Sequence, residues 1–370
     1  MRVMIIQEAI CAPDESWPVR YRDSIAEAIH ADRHGFDLYG LSEQHFAHGE
    51  AIVSAPEIVL AAVAAVTKNI TLRIASVNML PYNHPLRVAE QIATLDLISN
   101  GRMELGGARS NNPYTLDGFG IDAKDTRNFR GEHLNILSEA FSTGYVEYKS
   151  EFYSIPKRRI SPWPVGRTAP PVHLSASGID SHRDAGLIGV GAMTGLGIVG
   201  WEYVGACVAA YKEAVKQAKP VFGKVTNRAA AFSAGVSCHA DRQVARDTTR
   251  ANTLRFVEVI LDFFLKIAER SPDYQYFRRL NEIVDRKTDL DYLIDATPYV
   301  ISGNPDDIIK SSRKLYEMGF DDLIWRIDGM GHKSNMDSIE MIGKHVLPEL
   351  HSWPERENCS PVENRAQVLA

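Results

Sequence analysis

The chain has 370 residues, room for one large domain or two to three ordinary ones. Its 41 Lys and Arg against 47 Asp and Glu give a formal charge of −6, which argues against the basic footprint of a nucleic-acid-binding surface. With 45% hydrophobic and 24% charged residues it has the composition of a soluble globular protein with ample core, so disorder is not its main state. No run approaches the ~18 uninterrupted apolar residues of a membrane span. The start, Met1-Arg2-Val3-Met4-Ile5-Ile6-Gln7-Glu8, turns acidic too early for a signal-peptide core. Cys11, Cys207, Cys238 and Cys359 suit neither a CxxC zinc site nor a dense disulfide framework. The expectation is a cytoplasmic, metal-independent protein that binds neither nucleic acid nor membrane.

In chain order, β-rich runs are predicted at 2–7, 36–42, 70–80, 102–108, 171–177, 188–194, 228–238 and 321–327. Helical patterns lie between them, at 19–34, 55–67, 86–99, 126–142, 179–185, 201–218, 241–270 and 305–318, with another near 335–350. In the first, Tyr21, Ile25, Ala28 and Ile29 recur at helical spacing and share one face, while Arg20, Asp23, Glu27 and Asp32 lie largely off it. The run at 70–80, ITLRIASVNML, is mostly apolar, as a parallel strand covered on both faces should be. Eight strand–helix alternations without a linker predict a closed (β/α)8 TIM barrel; a doubly wound sheet, built from the same units, is the competing arrangement. A single barrel domain over 1–350 is expected, with insertions at 143–170 and 241–300 and a C-terminal tail at 351–370. The aromatic load of the second insertion (Phe256, Phe263, Phe264, Tyr274, Tyr276, Phe277) predicts that it covers the mouth or joins a dimer interface.

Barrel chemistry sits at the C-terminal ends of the strands. The second ends in Leu41-Ser42-Glu43-Gln44-His45-Phe46, the third near Asn78 before Pro81-Tyr82-Asn83-His84-Pro85. The fourth ends in Gly106-Gly107-Ala108-Arg109-Ser110-Asn111-Asn112, and the fifth in Leu174-Ser175-Ala176-Ser177-Gly178. Glu43 and His45, alternating along a strand, share a face, as a structural pair or as part of a site. His84 lies in a turn that it can stabilise by a hydrogen bond. Arg109, after small residues, suits anion binding or a surface ion pair. Ser177-Gly178 at a helix start is an N-cap or a phosphate site. Gly195-Leu196-Gly197-Ile198-Val199-Gly200 fits the dinucleotide pattern GxGxxG, but no Asp or Glu occurs between Ala214 and Ala240 to hold a ribose. It reads as a glycine-rich loop at the mouth.

The run His84-Pro85-Leu86-Arg87-Val88-Ala89-Glu90, continued by Leu95-Asp96-Leu97-Ile98-Ser99-Asn100-Gly101-Arg102, resembles the HPxRxAE…LDxxSxGR segment of the bacterial luciferase-like flavin monooxygenases. Gly35-Phe36-Asp37 leading to Glu43-Gln44-His45-Phe46 is similar to that family's GFD…EHHF element. Ser175-Ala176-Ser177-Gly178, Ala185-Gly186 and Gly303-Asn304-Pro305 follow in family order. The resemblance spans roughly residues 1–350 and implies a (β/α)8 barrel. It also implies reduced FMN as a diffusible co-substrate delivered by an NAD(P)H-dependent flavin reductase, and O2 activated as a flavin C4a-hydroperoxide. By the same resemblance Arg109, with Ala176, Ser177 and nearby N–H groups, would hold the FMN phosphate. Ser76 and Asn78 would border the ring, and Glu43 and His45 are the candidate catalytic pair. The light-emitting α subunits carry two histidines after the Glu; here Gln44, which cannot titrate, takes the place of the first.

The leading expectation is a two-component FMN-dependent monooxygenase acting on a small organic molecule by hydroxylation, N-oxidation or Baeyer–Villiger insertion, and forming a homodimer or heterodimer. The alternatives are an F420-dependent oxidoreductase of the same superfamily, or a non-catalytic flavin-binding partner subunit.

Overall fold

The computed structural model describes residues 1–11, 15–47, 51–356 and 359. Its strands are β1 (Arg2–Gln7), β2 (Leu38–Leu41), β3 (Thr71–Asn78), β4 (Met103–Ala108), β5 (Tyr145–Lys149), β6 (Ser154–Arg159), β7 (Val172–Ala176), β8 (Gly191–Thr194), β9 (Ala229–Ser233), β10 (Gly235–Cys238), β11 (Val300–Gly303) and β12 (Asp322–Arg326). The helices are α1 (Trp17–Arg33), α2 (Pro56–Val66), α3 (Pro85–Ile98), α4 (Pro113–Gly118), α5 (Thr126–Thr143), α6 (Ile179–Leu187), α7 (Trp201–Ala214), α8 (Arg242–Arg270), α9 (Leu290–Ala296), α10 (Pro305–Met318), α11 (His332–His345) and α12 (Leu347–Ser352). Prolines Pro56, Pro85 and Pro305 open α2, α3 and α10, where the missing N–H costs nothing.

Strands β1, β12, β9, β8, β7, β4, β3 and β2 pair in that order, all parallel, and β1 pairs back to β2, closing the eight-stranded barrel. Each of the eight expected strands supplies one stave. The run expected as a single strand at 228–238 splits. It leaves the barrel after Ser233, whose hydroxyl donates to the Pro298 carbonyl at 2.7 Å, and continues as β10, which pairs with β11 outside the barrel. A Cβ on Gly235 would sit 2.3 Å from the Thr253 hydroxyl, so the chain changes partner at a position only glycine fits. Segment 143–170 contains an antiparallel hairpin, β5–β6, that strand periodicity did not reveal. Of the tail expected at 351–370, residues 357, 358 and 360–370 lie outside the described residues.

Closure sorts the inward-facing side chains into layers, because alternate residues of each stave point inward. At the N-terminal end the layer is charged. Arg2 pairs with Asp322 (2.6 Å) and Glu104 (2.8 Å), Arg228 with Asp322 (2.9 Å) and His173 with Glu104 (3.0 Å), while Arg73 reaches both carboxylates. Burial alone would raise the Asp322 carboxyl, but the Arg2 and Arg228 guanidiniums outweigh it and hold it far below the usual range. The middle layer is apolar: Met4, Leu38, Ala75, Met193, Ala230 and Ile324. A Cβ on Gly106 would stand 2.5 Å from the Ile74 carbonyl oxygen, so at this level β4 has no side chain. The third layer, toward the C-terminal ends, opens into cavities.

The charged layer bridges the β1–β12 seam, and its removal should loosen the barrel. Asp322→Ala leaves Arg2 and Arg228 buried without their shared carboxylate, which should cost about 3–5 kcal/mol. Urea unfolding of the variant beside the parent checks this; a loss below about 1 kcal/mol would show that the seam does not rely on it.

Candidate active site

The cavity above the apolar layer has Ile6, Ala75, Met193 and Ile324 as its floor and the polar strand ends as its wall. Of the sequence-predicted residues, Glu43, Ser76, Asn78, Arg109 and Ser177 line it. Ser76 is turned in where the β3–β4 register shifts between Ile74 and Val77, a bulge that re-aims the chain. Its hydroxyl lies 2.6 Å from that of Ser175 on β7. Phe256, Ile260 and Phe264 of α8, with Tyr274, Tyr276 and Phe277 of the 3₁₀ segment Pro272–Glu282, roof the cavity, so the aromatic insertion does lie over the mouth.

One end of the cavity is positive. Arg109 is buried, its guanidinium 4.6 Å from the centre of the Tyr274 ring and its Nη1 3.6 Å from an Asp273 carboxylate oxygen. Arg130, from α5, faces the same cavity, and its pKa is pushed down to about 10 by burial and by the charges of Arg109 and Arg127. Arg109 Nη1 and Arg130 Nε have no hydrogen-bond partner. Ser177 follows β7 at the start of α6, and its carbonyl accepts from the Tyr203 hydroxyl at 2.8 Å. The next turn is held from below. Gly178 O accepts from His182 Nδ1 (2.8 Å), so the other ring nitrogen, Nε2, accepts from Thr194 Oγ1 (2.8 Å). Two guanidiniums, the Ser177 hydroxyl and the N-terminus of α6 form a site whose chemistry matches a dianion. Ala176 precedes it on β7, its side chain buried away from the cavity lining.

Glu43 is a structural hub. Its carboxylate accepts from Asn78 N (2.8 Å), Tyr82 Oη (3.0 Å), both ways from Asn83 Nδ2 (2.9 Å), and pairs with His45 Nε2 at 2.7 Å. Burial and the neighbouring Glu43 push the Tyr82 hydroxyl well above its ordinary pKa. The expected Glu43–His45 pair thus forms, although β2 ends at Leu41 and both residues belong to the following loop. His45 turns from the cavity lining, packs among Phe46, Tyr82 and Phe119, and takes hydrogen bonds on its carbonyl from Asn112 and Thr115. Gln44 faces the cavity instead and donates to Glu8 at 2.9 Å. His84 caps α3, its Nδ1 accepting from Leu86 N. Gly195 of the glycine-rich loop lines the cavity, as expected.

Glu8 and Arg130 escaped the sequence reading. Glu8 carried a usable signal, because it continues the inward stripe Arg2, Met4, Ile6 past the end of β1. Its partly exposed surface faces the cavity, and burial pushes its pKa up to about 7 against the pull of Arg326. Beyond Glu8, Gln44, Phe256 and Ile260 a second, outer chamber of about 370 Å³ adjoins the first.

The family model described as luciferase-like monooxygenase matches residues 4–322. The chain belongs to the luciferase-like monooxygenase family. It is 30% identical over 157 residues to the oxygenase component of a flavin-dependent trigonelline monooxygenase from Acinetobacter baylyi (42% of this chain, 43% of that one). It is 24% identical over 331 residues to an F420-dependent glucose-6-phosphate dehydrogenase from Nakamurella multipartita (88% and 91%). The oxygenating constituent of 3,6-diketocamphane monooxygenase from Pseudomonas putida, a type II Baeyer–Villiger monooxygenase solved with FMN, shares the fold with a TM-score of 0.74 at 21% identity (94% and 98%). The chain spans about half the length or less of the first curated relatives it matches. Within the family fold, this chain places Gln44 at the mouth. Among the described residues no helix is long and apolar enough to cross a membrane.

Buried titratable groups tie stability to pH. His173 and His182 are pushed down to about 4, chiefly by burial, and stay neutral in the native state down to that pH, whereas the unfolded chain binds their protons below ~6.5. Acidification from pH 6.5 to 4 therefore removes stability. Glu8 works in the opposite sense: the native state binds its proton below about 7 and the unfolded chain only below ~4.5, so its contribution is lost as pH rises through that window. Between pH 7 and 5, His182→Gln should lessen the acid loss and Glu8→Gln should deepen it, each by on the order of 2 kcal/mol. Urea midpoints at the two pH values measure this, and parallel shifts in all three proteins would contradict the assignment.

Proposed function

We propose that this chain is the oxygenase component of a two-component monooxygenase, taking reduced FMN from an NAD(P)H-dependent flavin reductase and using O2 to oxygenate a small organic substrate. The observation that carries the reading is the positive end of the inner cavity, where Arg109 and Arg130 face the same space, each with a guanidinium nitrogen lacking a hydrogen-bond partner. Membership of the family and the flavin-dependent oxygenase among its relatives support it. Reduced FMN, when bound, supplies the electrons that activate O2 for oxygen transfer. Arg109, Arg130 and Ser177, with nearby backbone N–H groups at the start of α6, hold its phosphate; Ser76 and Asn78 border its ring. The apolar floor and aromatic roof exclude water, which the chemistry of a reduced flavin requires. Glu43 acts as a positioning residue. It fixes Asn78, Tyr82, Asn83 and His45 at once, and His45 in turn ties the β2 loop to Asn112 and Thr115.

A second reading, hydride transfer with reduced F420, is favoured by the relative whose similarity extends over 88% of the chain. Anaerobic titration separates the two: reduced FMN should bind at least tenfold more tightly than reduced F420, and the reverse order would make the second reading the right one. Within the first, Arg109→Ala should weaken FMN binding by the loss of a charge-assisted hydrogen bond, roughly 1.5–3 kcal/mol or ten- to hundredfold. Riboflavin, which lacks the phosphate, should bind the variant and the parent alike. Equal losses for both flavins would remove Arg109 from the phosphate site.

A further inference from the structure

The outer chamber contains a charge that flavin binding leaves unused. Arg2, Arg20, Arg73 and Arg228 are buried, and each is paired with a carboxylate. Arg326, 1% exposed at the end of β12, is buried as deeply but has no ion pair among the described residues. Its Nη1 donates to the Ala234 carbonyl at 2.8 Å, and its guanidinium lies 3.9 Å from the centre of the Phe256 ring. Its Nε and Nη2 have no hydrogen-bond partner. A carboxylate two residues on, Asp328, is taken: it accepts from the amides of Glu8 (2.8 Å) and Ile10 and from Arg20. Glu8, in the same chamber, has its pKa pushed up to about 7, so it is only partly charged near neutrality.

Nε and Nη2 make up the side edge of a guanidinium, two parallel donors whose spacing matches the oxygens of a carboxylate. Arg20 and Arg73 each leave one buried nitrogen without a hydrogen-bond partner but are compensated by a carboxylate, whereas Arg326 leaves two and has no carboxylate, which is costly unless a ligand supplies the acceptors. Here they belong to a residue that lines a chamber of about 370 Å³, the size of an ordinary organic ligand, with Ile10, Val259, Ile260, Phe263 and Met330 along its wall. We infer that the outer chamber binds an organic substrate as its carboxylate, held side-on by Arg326 with its apolar body against that wall. The inference rests on the reading of the inner cavity as the flavin site only in calling this ligand the substrate.

The test is calorimetric titration of the flavin-free protein with 4-phenylbutyrate and with its neutral counterpart, 4-phenylbutanamide. The acid should bind at least tenfold more tightly than the amide. Arg326→Met should lose that preference, bringing the two within about threefold, and Arg326→Lys should retain part of it, since charge remains but the paired donors do not. FMN should bind Arg326→Met as it binds the parent, which also shows that the variant folds. Should Arg326→Met fail to fold, the acid-to-amide comparison in the parent and in Arg326→Lys decides alone. Equal binding of acid and amide by the parent, or no binding of either, overturns the inference. Selective binding of the acid by a protein that does not bind FMN would support the carboxylate site while refuting the flavin reading.

Discussion

Closure of the barrel at the seam between β1 and β12 is the constraint on which the rest of the molecule depends. The seam joins nearly the two ends of the described chain: Arg2 lies in register with Asp322 and Ile6 with Arg326. Backbone pairing alone leaves the strands free to slip by a residue, which would turn every side chain to the other face. The carboxylate of Asp322, shared by Arg2 and Arg228, penalises such a slip, because it would strand charges inside the barrel. Once the register is set, Glu8 and Arg326 can share one chamber, and the ends of β3, β4 and β7 bring Asn78, Arg109 and Ser177 to one cavity.

The layers divide the electrostatic work. At the N-terminal end every arginine meets a carboxylate, and Glu104 and Asp322 are held ionised by Arg2, Arg73 and Arg228 despite burial. The apolar middle separates that network from the mouth. At the mouth Arg109, Arg130 and Arg326 each retain a buried donor without a hydrogen-bond acceptor, and Arg326 has no ion pair among the described residues. A ligand that brings acceptors would offset the cost of burying such groups, which supports the two proposed sites in the adjoining chambers.

Much of this was legible in the sequence, and the failures have physical causes. All eight staves and the longer helices between them showed their periods, because a stave buried on both faces and an amphipathic helix leave different patterns; the short α4 and α9 did not. The division of 228–238 into β9 and β10 did not show, since AAAFSAGVSC is uniformly strand-like and the change of partner depends on Thr253 and Pro298 from distant segments. Arg109 and Ser177 were found because they follow small residues at strand ends. Arg130 was not, because it comes from a helix whose approach to the mouth is a tertiary event. The pairing of His45 with Glu43 followed from their spacing; that His45 would turn aside and leave Gln44 facing the cavity depended on Phe119 and Tyr82 closing around it. Glu8 and Arg326 continue period-two stripes that are plain once closure fixes which faces point inward.

The central claim is that the inner cavity takes FMN with its phosphate at the positive end. A crystal structure of the protein soaked with FMN tests it most directly. The account predicts phosphate oxygens at about 2.7–3.2 Å from donors of Arg109, Arg130 or Ser177, with the ring system above Ile6, Met193 and Ile324. A flavin whose phosphate lies on Arg326 in the outer chamber, or one bound outside the barrel mouth, would contradict it.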